Sequence, residues 1–278
     1  MPATINISMH KAKGFTLIEL VVVVVLLAII GTFSFRFIGL GAQVYTDTAA
    51  REQLVSQSRF ALERLARELR NALPRSARVY NSGRCIQYAP IITSGEYLSI
   101  PTTTNPGDNI TAIAPLERRT QPITSRHLAI YITQPSALYD GSAQRYLITD
   151  RAVDTIEHTI TYTLDGSNMT VDNTGPSRRF FEISPPVSWC YNPVNGELRR
   201  YQSVDFTEIP PAPSVVAGGA LMAKQLNNNN ISPAVPLFEV DNVTLSQNNL
   251  VLIDFSFQRD NADEPLNLLY EVHIPNVP

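Results

Sequence analysis

The chain has 278 residues, 44% of them hydrophobic, enough to bury one large core or two modest ones. Its 22 basic and 25 acidic residues leave a formal charge of -3, and no basic tract could neutralise a row of phosphates, so nucleic acid is not an expected partner. Nearly all of the 20 prolines and 11 tyrosines lie beyond residue 73, whereas the region before is rich in Ala, Leu, Val and Arg, which places an architectural boundary near Pro74.

The first predicted element runs from Phe15 to Phe35, 21 residues in which Glu19 is the only charge. As a helix it would reach roughly 31 Å, the thickness of a hydrocarbon core. A secretory signal peptide fits poorly, because its apolar region is shorter and ends in a small-x-small site, whereas this run leads into Phe33, Phe35, Arg36 and Phe37. A plain anchor leaves Gly14 and Glu19 unexplained. A carboxylate at membrane depth costs about 2.5 to 3.5 kcal/mol on insertion scales and is normally paired. Cleavage after Gly14 would supply the partner, since the new amine of Phe15 on a neighbouring molecule is a cation at the depth of Glu19.

The segment Lys13-Gly14-Phe15-Thr16-Leu17-Ile18-Glu19-Leu20 resembles the class III signal of type IV prepilins and type II secretion pseudopilins. The resemblance implies a leader over residues 1–14 that prepilin peptidase removes after Gly14. It also implies methylation of the Phe15 amine and use of Glu19 in subunit docking. These residues are substrates of processing and make the chain no enzyme. Lys11 and Lys13 would hold the leader in the cytoplasm, which puts everything after a span at 15–38 in the periplasm. Many major pilins bend this helix at a proline where this chain has Arg36, a departure that argues against the bulk fibre subunit.

An amphipathic periplasmic helix is expected over 39–73. Val55, Ser58, Leu62, Leu65, Leu69 and Leu73 recur at three- and four-residue steps, a stripe expected to pack on the chain's own β domain or in part on neighbouring helices. Arg59, Glu63, Arg64, Arg67, Glu68 and Arg70 occupy the other face, expected to be solvated. Gly39 and Gly41 are the expected places for a bend, and Pro74 the stop.

Beyond Pro74 the fold class becomes α+β: a long N-terminal helix followed by an antiparallel β-sheet head over 74–278, as in pilins. The segments EYLSIP, HLAIYIT, RYLITD, HTITYTL, RFFEIS, LVLIDFSFQ and LLYEVHIP read as strands between Gly, Pro, Asn and Asp turns. Ser246 to Asn249 are expected to turn a hairpin that points Ile253, Phe255 and Phe257 to one face. Residues 207–236 read as an exposed insertion with a short helix around Leu221, and Asn227 to Asn230 as a flexible loop.

The helix ending RFALERLARELRNALPRSARV is similar to that of J-type minor pseudopilins. The ending YEVHIPNVP and the chain length resemble minor pilins of mannose-sensitive haemagglutinin pili. In an oxidising periplasm Cys85 and Cys190 would most simply pair, with two buried thiols as the alternative. Trp189 is expected to pack against such a bridge, with glycan stacking as the other reading.

No catalytic motif occurs, and His10, His127, His158 and His273 each stand apart from other ligand types, so neither an enzyme nor a cofactor is expected. Asp260, Asp263 and Glu264 are the only weak candidates for a metal, Ca²⁺, and a solvated turn is favoured for them. The expected partners are other pilins through the N-terminal helix, prepilin peptidase with its methylase activity, and an inner-membrane assembly platform. The expected location is the inner membrane of a Gram-negative bacterium, single-pass, and then a fibre or its tip. Four readings follow: a minor pilin of a fibre tip or priming complex, a J-like minor pseudopilin of type II secretion, a tip adhesin whose head binds a glycan or a surface, and, without motif support, an enzyme on an N-terminal anchor.

Overall fold

The computed structural model describes residues 14–115, 125–140, 144–166, 169–171, 174–203, 206, 218–228, 235–241, 248–258 and 265–275. The chain divides into two compact units, Met1–Leu54 and Val55–Pro278. Helix α1 (Leu17–Arg70) supplies the described helix of the first unit and opens the second.

In the first unit Thr16 caps the helix: its hydroxyl accepts the Glu19 N–H at 3.3 Å, and its carbonyl accepts the Leu20 N–H at 3.2 Å. Large apolar side chains from Phe15 onward lie open, with Phe15 at 78% and Phe33 at 69% exposure. The helix is long and apolar enough to cross a membrane. The Thr32 hydroxyl donates to the Ala28 carbonyl at 2.8 Å, so the helix itself satisfies a polar group that hydrocarbon could not. The helix is unbroken at Gly39 and Gly41, the expected places for a bend.

In the second unit the expected stripe is buried from Ser58 on, with Ser58, Leu62, Leu65, Leu69 and Leu73 all at 8% exposure or less, while Val55 is half-buried. Each leucine contributes about 1.5 to 3 kcal/mol by burial. The helix stops at Arg70, short of the expected Leu73. The Asn71 and Ala72 N–H groups tighten onto the Glu68 and Leu69 carbonyls, and Leu73 turns its N–H to the Ala89 carbonyl at 2.8 Å.

A five-stranded antiparallel sheet runs in the order β1 (Arg78–Tyr80), β2 (Cys85–Tyr88), β9 (Val187–Asn192), β10 (Glu197–Gln202) and β11 (Ala220–Ala223). Cys85 and Cys190 are bonded to each other. They stand directly opposite on β2 and β9, so the bridge reinforces an existing strand pair.

Six strands close a barrel: β3 (Ile91–Ser99), β4 (Asn109–Ile113), β7 (Thr159–Leu164), β6 (Arg145–Asp154), β5 (His127–Ile130) and β8 (Arg179–Ile183). Two long strands turn its corners. β3 pairs with β8 through Glu96 and with β4 from Tyr97, and β6 changes from β5 to β7 after Leu147. Gly95 permits the first corner, because a Cβ there would stand 3.0 Å from the Phe180 ring. Closure removes exposed sheet edges and surrounds Tyr97, Ile110, Leu128, Ile148, Tyr162 and Phe180. A buried ion pair joins them, with Arg126 donating to Glu182 at 2.5 Å. Helix α2 (Ser136–Tyr139) lies between β5 and β6 in the chain.

The remaining sheet is β12 (Phe238–Asp241), β13 (Asn249–Phe257) and β14 (Leu266–Ile274). Ile253, Phe255 and Phe257 share its buried face, as the alternation predicts, although Asn249 is the first strand residue and not part of the turn. The other six sequence-predicted strands appear as β3, β5, β6, β7, β8 and β14.

Of the expected insertion, residues 207–217 and 229–234 lie outside the described residues, and the part between them needs correction. Ala220–Ala223 is a strand paired with β10, where a short helix was expected around Leu221. Asn228 is buried, donating to the Asp254 carbonyl and accepting the Ser256 N–H, so this end of the asparagine run is anchored to β13.

Removing the bridge by C85A/C190A should lower unfolding free energy by about 2 to 4 kcal/mol, read by urea denaturation, while the strand pairing persists in circular dichroism. An unchanged midpoint would show that the register of β2 and β9 is held without it.

Candidate functional site

Gly14, Phe15 and Thr16 precede the first helical residue, and all three are exposed. The Gly14–Phe15 peptide bond is thus non-helical, with no atom within 4 Å of where a Gly14 side chain would begin. A protease needs such an accessible, unfolded bond. Glu19 is also exposed, and its carboxylate forms no ion pair among the described residues. Its place in the first turn suits the positive end of the helix dipole, and Thr16 followed three residues later by Glu19 has capping-box spacing. This local role in starting the helix was not recognised from the sequence, although the Thr-x-x-Glu spacing carries it. Lys11 and Lys13 lie outside the described residues, as do His10, Asp260, Asp263 and Glu264.

A second polar constellation sits inside the Val55–Pro278 unit. Glu68 comes from the last turn of α1, Tyr88 from β2, Trp189 from β9 and Arg200 from β10. The Glu68 carboxylate accepts from the Tyr88 hydroxyl at 2.5 Å, from Arg200 Nε at 2.9 and 3.1 Å, from Trp189 Nε1 at 3.3 Å and from Arg64 Nε at 3.2 Å. Trp189 Nε1 also donates to the Tyr88 oxygen at 3.1 Å.

The geometry follows from strand alternation. Ile86, Trp189 and Arg200 are register partners across three strands and so share one face, and Tyr88, two residues on from Ile86, joins them. Two expectations are thereby corrected. Glu68 and Arg64 are not merely a solvated face, because Glu68 is the residue through which the helix grips the sheet. Trp189 does not pack on the bridge: adjacent strand residues point to opposite faces, so Trp189 turns to the helix while Cys190 turns toward the Tyr80 hydroxyl, 3.2 Å from its sulfur. Trp189 is fully buried, which removes it as a stacking platform for a glycan.

Burial pushes the Glu68 carboxyl up, but the hydrogen bond from Tyr88, the bond and charge of Arg200 and the bond from Arg64 together hold it below its ordinary value of 4.5. Burial, then the adjacent Glu68 charge, raise the Tyr88 hydroxyl well above its ordinary range, so it remains a donor at any physiological pH.

The three described histidines are apart. His127 packs edge-on to Phe206 with centroids 4.9 Å apart, His158 lies in the β6–β7 turn and His273 is exposed on β14. Among the described residues no three His, Cys, Asp or Glu side chains gather as metal ligands would.

Comparison with known families gives a match to the prokaryotic N-terminal methylation motif over residues 9–35, which spans Gly14, Phe15 and Glu19. The class this supports is the type IV pilin or pseudopilin, a structural subunit processed at its N-terminus. The open apolar helix fits a membrane-anchored member of that class. No curated protein and no solved structure matches the chain.

Replacing Glu68 by Gln should lower stability at pH 7 by about 1 to 3 kcal/mol, since a charge-assisted network becomes neutral. Because the folded-state value is depressed, the ionised contact stabilises the fold above pH 4.5 and is lost as pH falls through the lower folded value. Urea midpoints measured from pH 7 to pH 3 should therefore fall less steeply for Glu68→Gln than for the parent. Parallel curves would show that Glu68 does not carry the acid limb.

Proposed function

We propose that the chain is a minor type IV pilin that acts in assembly of a mannose-sensitive haemagglutinin type of pilus, of the MshO kind. The observation that carries this reading is the methylation motif over residues 9–35, set on an exposed Gly14–Phe15 bond and an apolar helix with no covering side chains. Prepilin peptidase cuts after Gly14 and methylates the Phe15 amine. Glu19 of one subunit then pairs with such an amine on a neighbour, which offsets the cost of a carboxylate in hydrocarbon. Lys11 and Lys13 keep the leader cytoplasmic, so the head faces the periplasm until the subunit leaves the membrane.

Arg36 in place of a bending proline favours a tip or priming position over the fibre shaft. The helix ending supports a J-like pseudopilin of a secretion system as the second reading.

Intact mass and N-terminal sequencing from cells with and without prepilin peptidase test the processing step. A mature chain beginning at methylated Phe15 only when the peptidase is present is the expected result, and an uncleaved chain in both would overturn it. Glu19→Val should still be cleaved but be missing from sheared fibres. Loss of piliation against loss of protein secretion in a deletion strain separates the two systems.

A further inference from the structure

The head contains a cleft of about 350 Å³, the size of a small-molecule site, where the chain leaves α1 and meets the β5 and β8 side of the barrel. Its described lining holds two arginines, Arg75 and Arg179, and no acidic residue. Tyr131 adds an aromatic ring, and Thr133 and Ser177 add two aliphatic hydroxyls.

Two of these residues are held in strained backbone. Arg75 has φ of 63° and Tyr131 has φ of 51°, both in the left-handed region that bulky side chains avoid. Such strain persists only where the surroundings over-determine it, and it collects at ligand sites. Here the surroundings are visible. Arg75 is 8% exposed and donates through Nη1 to the Thr133 carbonyl at 3.2 Å. The Tyr131 ring lies against Gly175, where a Cβ would stand 2.6 Å from Cδ2, and the Tyr97 hydroxyl ties the preceding Thr174 carbonyl to β3. Yet Tyr131 remains 39% exposed, so its ring is fixed and also open to solvent.

Arg179, at the start of β8, is half-buried. Glu96 is its register partner on β3, but the two close no ion pair, and among the described residues the guanidinium makes no hydrogen bond. A half-buried cation in a cleft lined without acids is an anion receptor, and the planar guanidinium fork matches a carboxylate.

We propose that this cleft binds a carboxylate-bearing sugar, an acidic residue at the end of a glycan. Arg179 takes the carboxylate, Arg75 adds positive field from the cleft floor, the open Tyr131 ring receives the apolar face of the pyranose, and Thr133 and Ser177 meet ring hydroxyls. A bare phosphate would leave the aromatic ring and the hydroxyls unused. The site involves neither the processed N-terminus nor Glu19, so it stands or falls apart from the assembly reading.

The test is ligand-observed NMR titration of the full chain in detergent with N-acetylneuraminic acid and with galacturonate, against galactose, acetate and inorganic phosphate. The acidic sugars should bind with Kd of about a millimolar or tighter, galactose and acetate not measurably. Arg179→Gln should weaken binding about tenfold or more and Tyr131→Leu several-fold, with Arg179→Lys between Gln and the parent. Thermal midpoints of the variants show that the fold is intact. No binding of either acidic sugar, undiminished binding by a folded Arg179→Gln, or phosphate binding as well as the sugars, an adventitious ion only, would each overturn the proposal.

Discussion

A single carboxylate sets how the second unit is put together. Glu68 projects from the last turn of α1 and is met by Tyr88, Trp189 and Arg200 from three adjacent strands, with Arg64 closing from its own helix. Hydrophobic burial of Leu62, Leu65 and Leu69 drives the helix onto the head, but apolar contact is non-directional and tolerates sliding. A charged group that loses water tolerates far less, because a shift of one residue would leave an acid, an arginine and a tyrosine hydroxyl unpaired together. The leucines therefore supply most of the energy and Glu68 the register. The same requirement fixes β2, β9 and β10 relative to each other, since the three donors reach one carboxylate only when Ile86, Trp189 and Arg200 are in line.

That division explains what the sequence disclosed. The stripe from Ser58 to Leu73 was legible because helical periodicity repeats along one segment, and seven strands were legible through alternation and β-branched residues. The missed strands are short or lack contrast. β2 is buried at all four positions and β9 at five of six, so neither shows an inside and an outside. β11 is four residues of Ala, Leu and Met, which carry little strand preference. Barrel closure was beyond local reading altogether, because it depends on β3 and β6 each changing partner midway, at Tyr97 and after Leu147.

The candidate sites divide in the same way. Gly14, Phe15 and Glu19 form one linear motif, and contiguous residues need no fold to be recognised. Glu68 was visible only as one charge among several on a helix face, and nothing local separates it from Glu63. What does so is Arg200, 132 residues away in sequence. The cysteine pair shows the intermediate case: with only Cys85 and Cys190 available the pairing was simple to anticipate, but not that the bond lies flat between neighbouring strands. Trp189 was misplaced for the same reason, since adjacency to Cys190 along a strand means opposite faces.

The two units meet their polar and apolar groups by different means. Within the described residues from Val55 onward the main groups find partners inside the unit: the barrel has no free edge, the five-stranded sheet is bridged, Arg126 is paired with Glu182, and Glu68 has four partners. Before that point almost every apolar side chain is open, and the carboxylate of Glu19, the one within the apolar run, is unpaired among the described residues. An apolar surface of that extent is not stable in water, and a lone carboxylate is not stable in lipid, so neither solvent alone suits this helix. A bilayer covers the valines and leucines but not Glu19; a neighbouring helix with a free amine at matching depth covers both. On the assembly reading proposed above, Glu19 is the feature that would turn a membrane anchor into an assembly element, because membrane insertion alone leaves it costly and association would remove the cost.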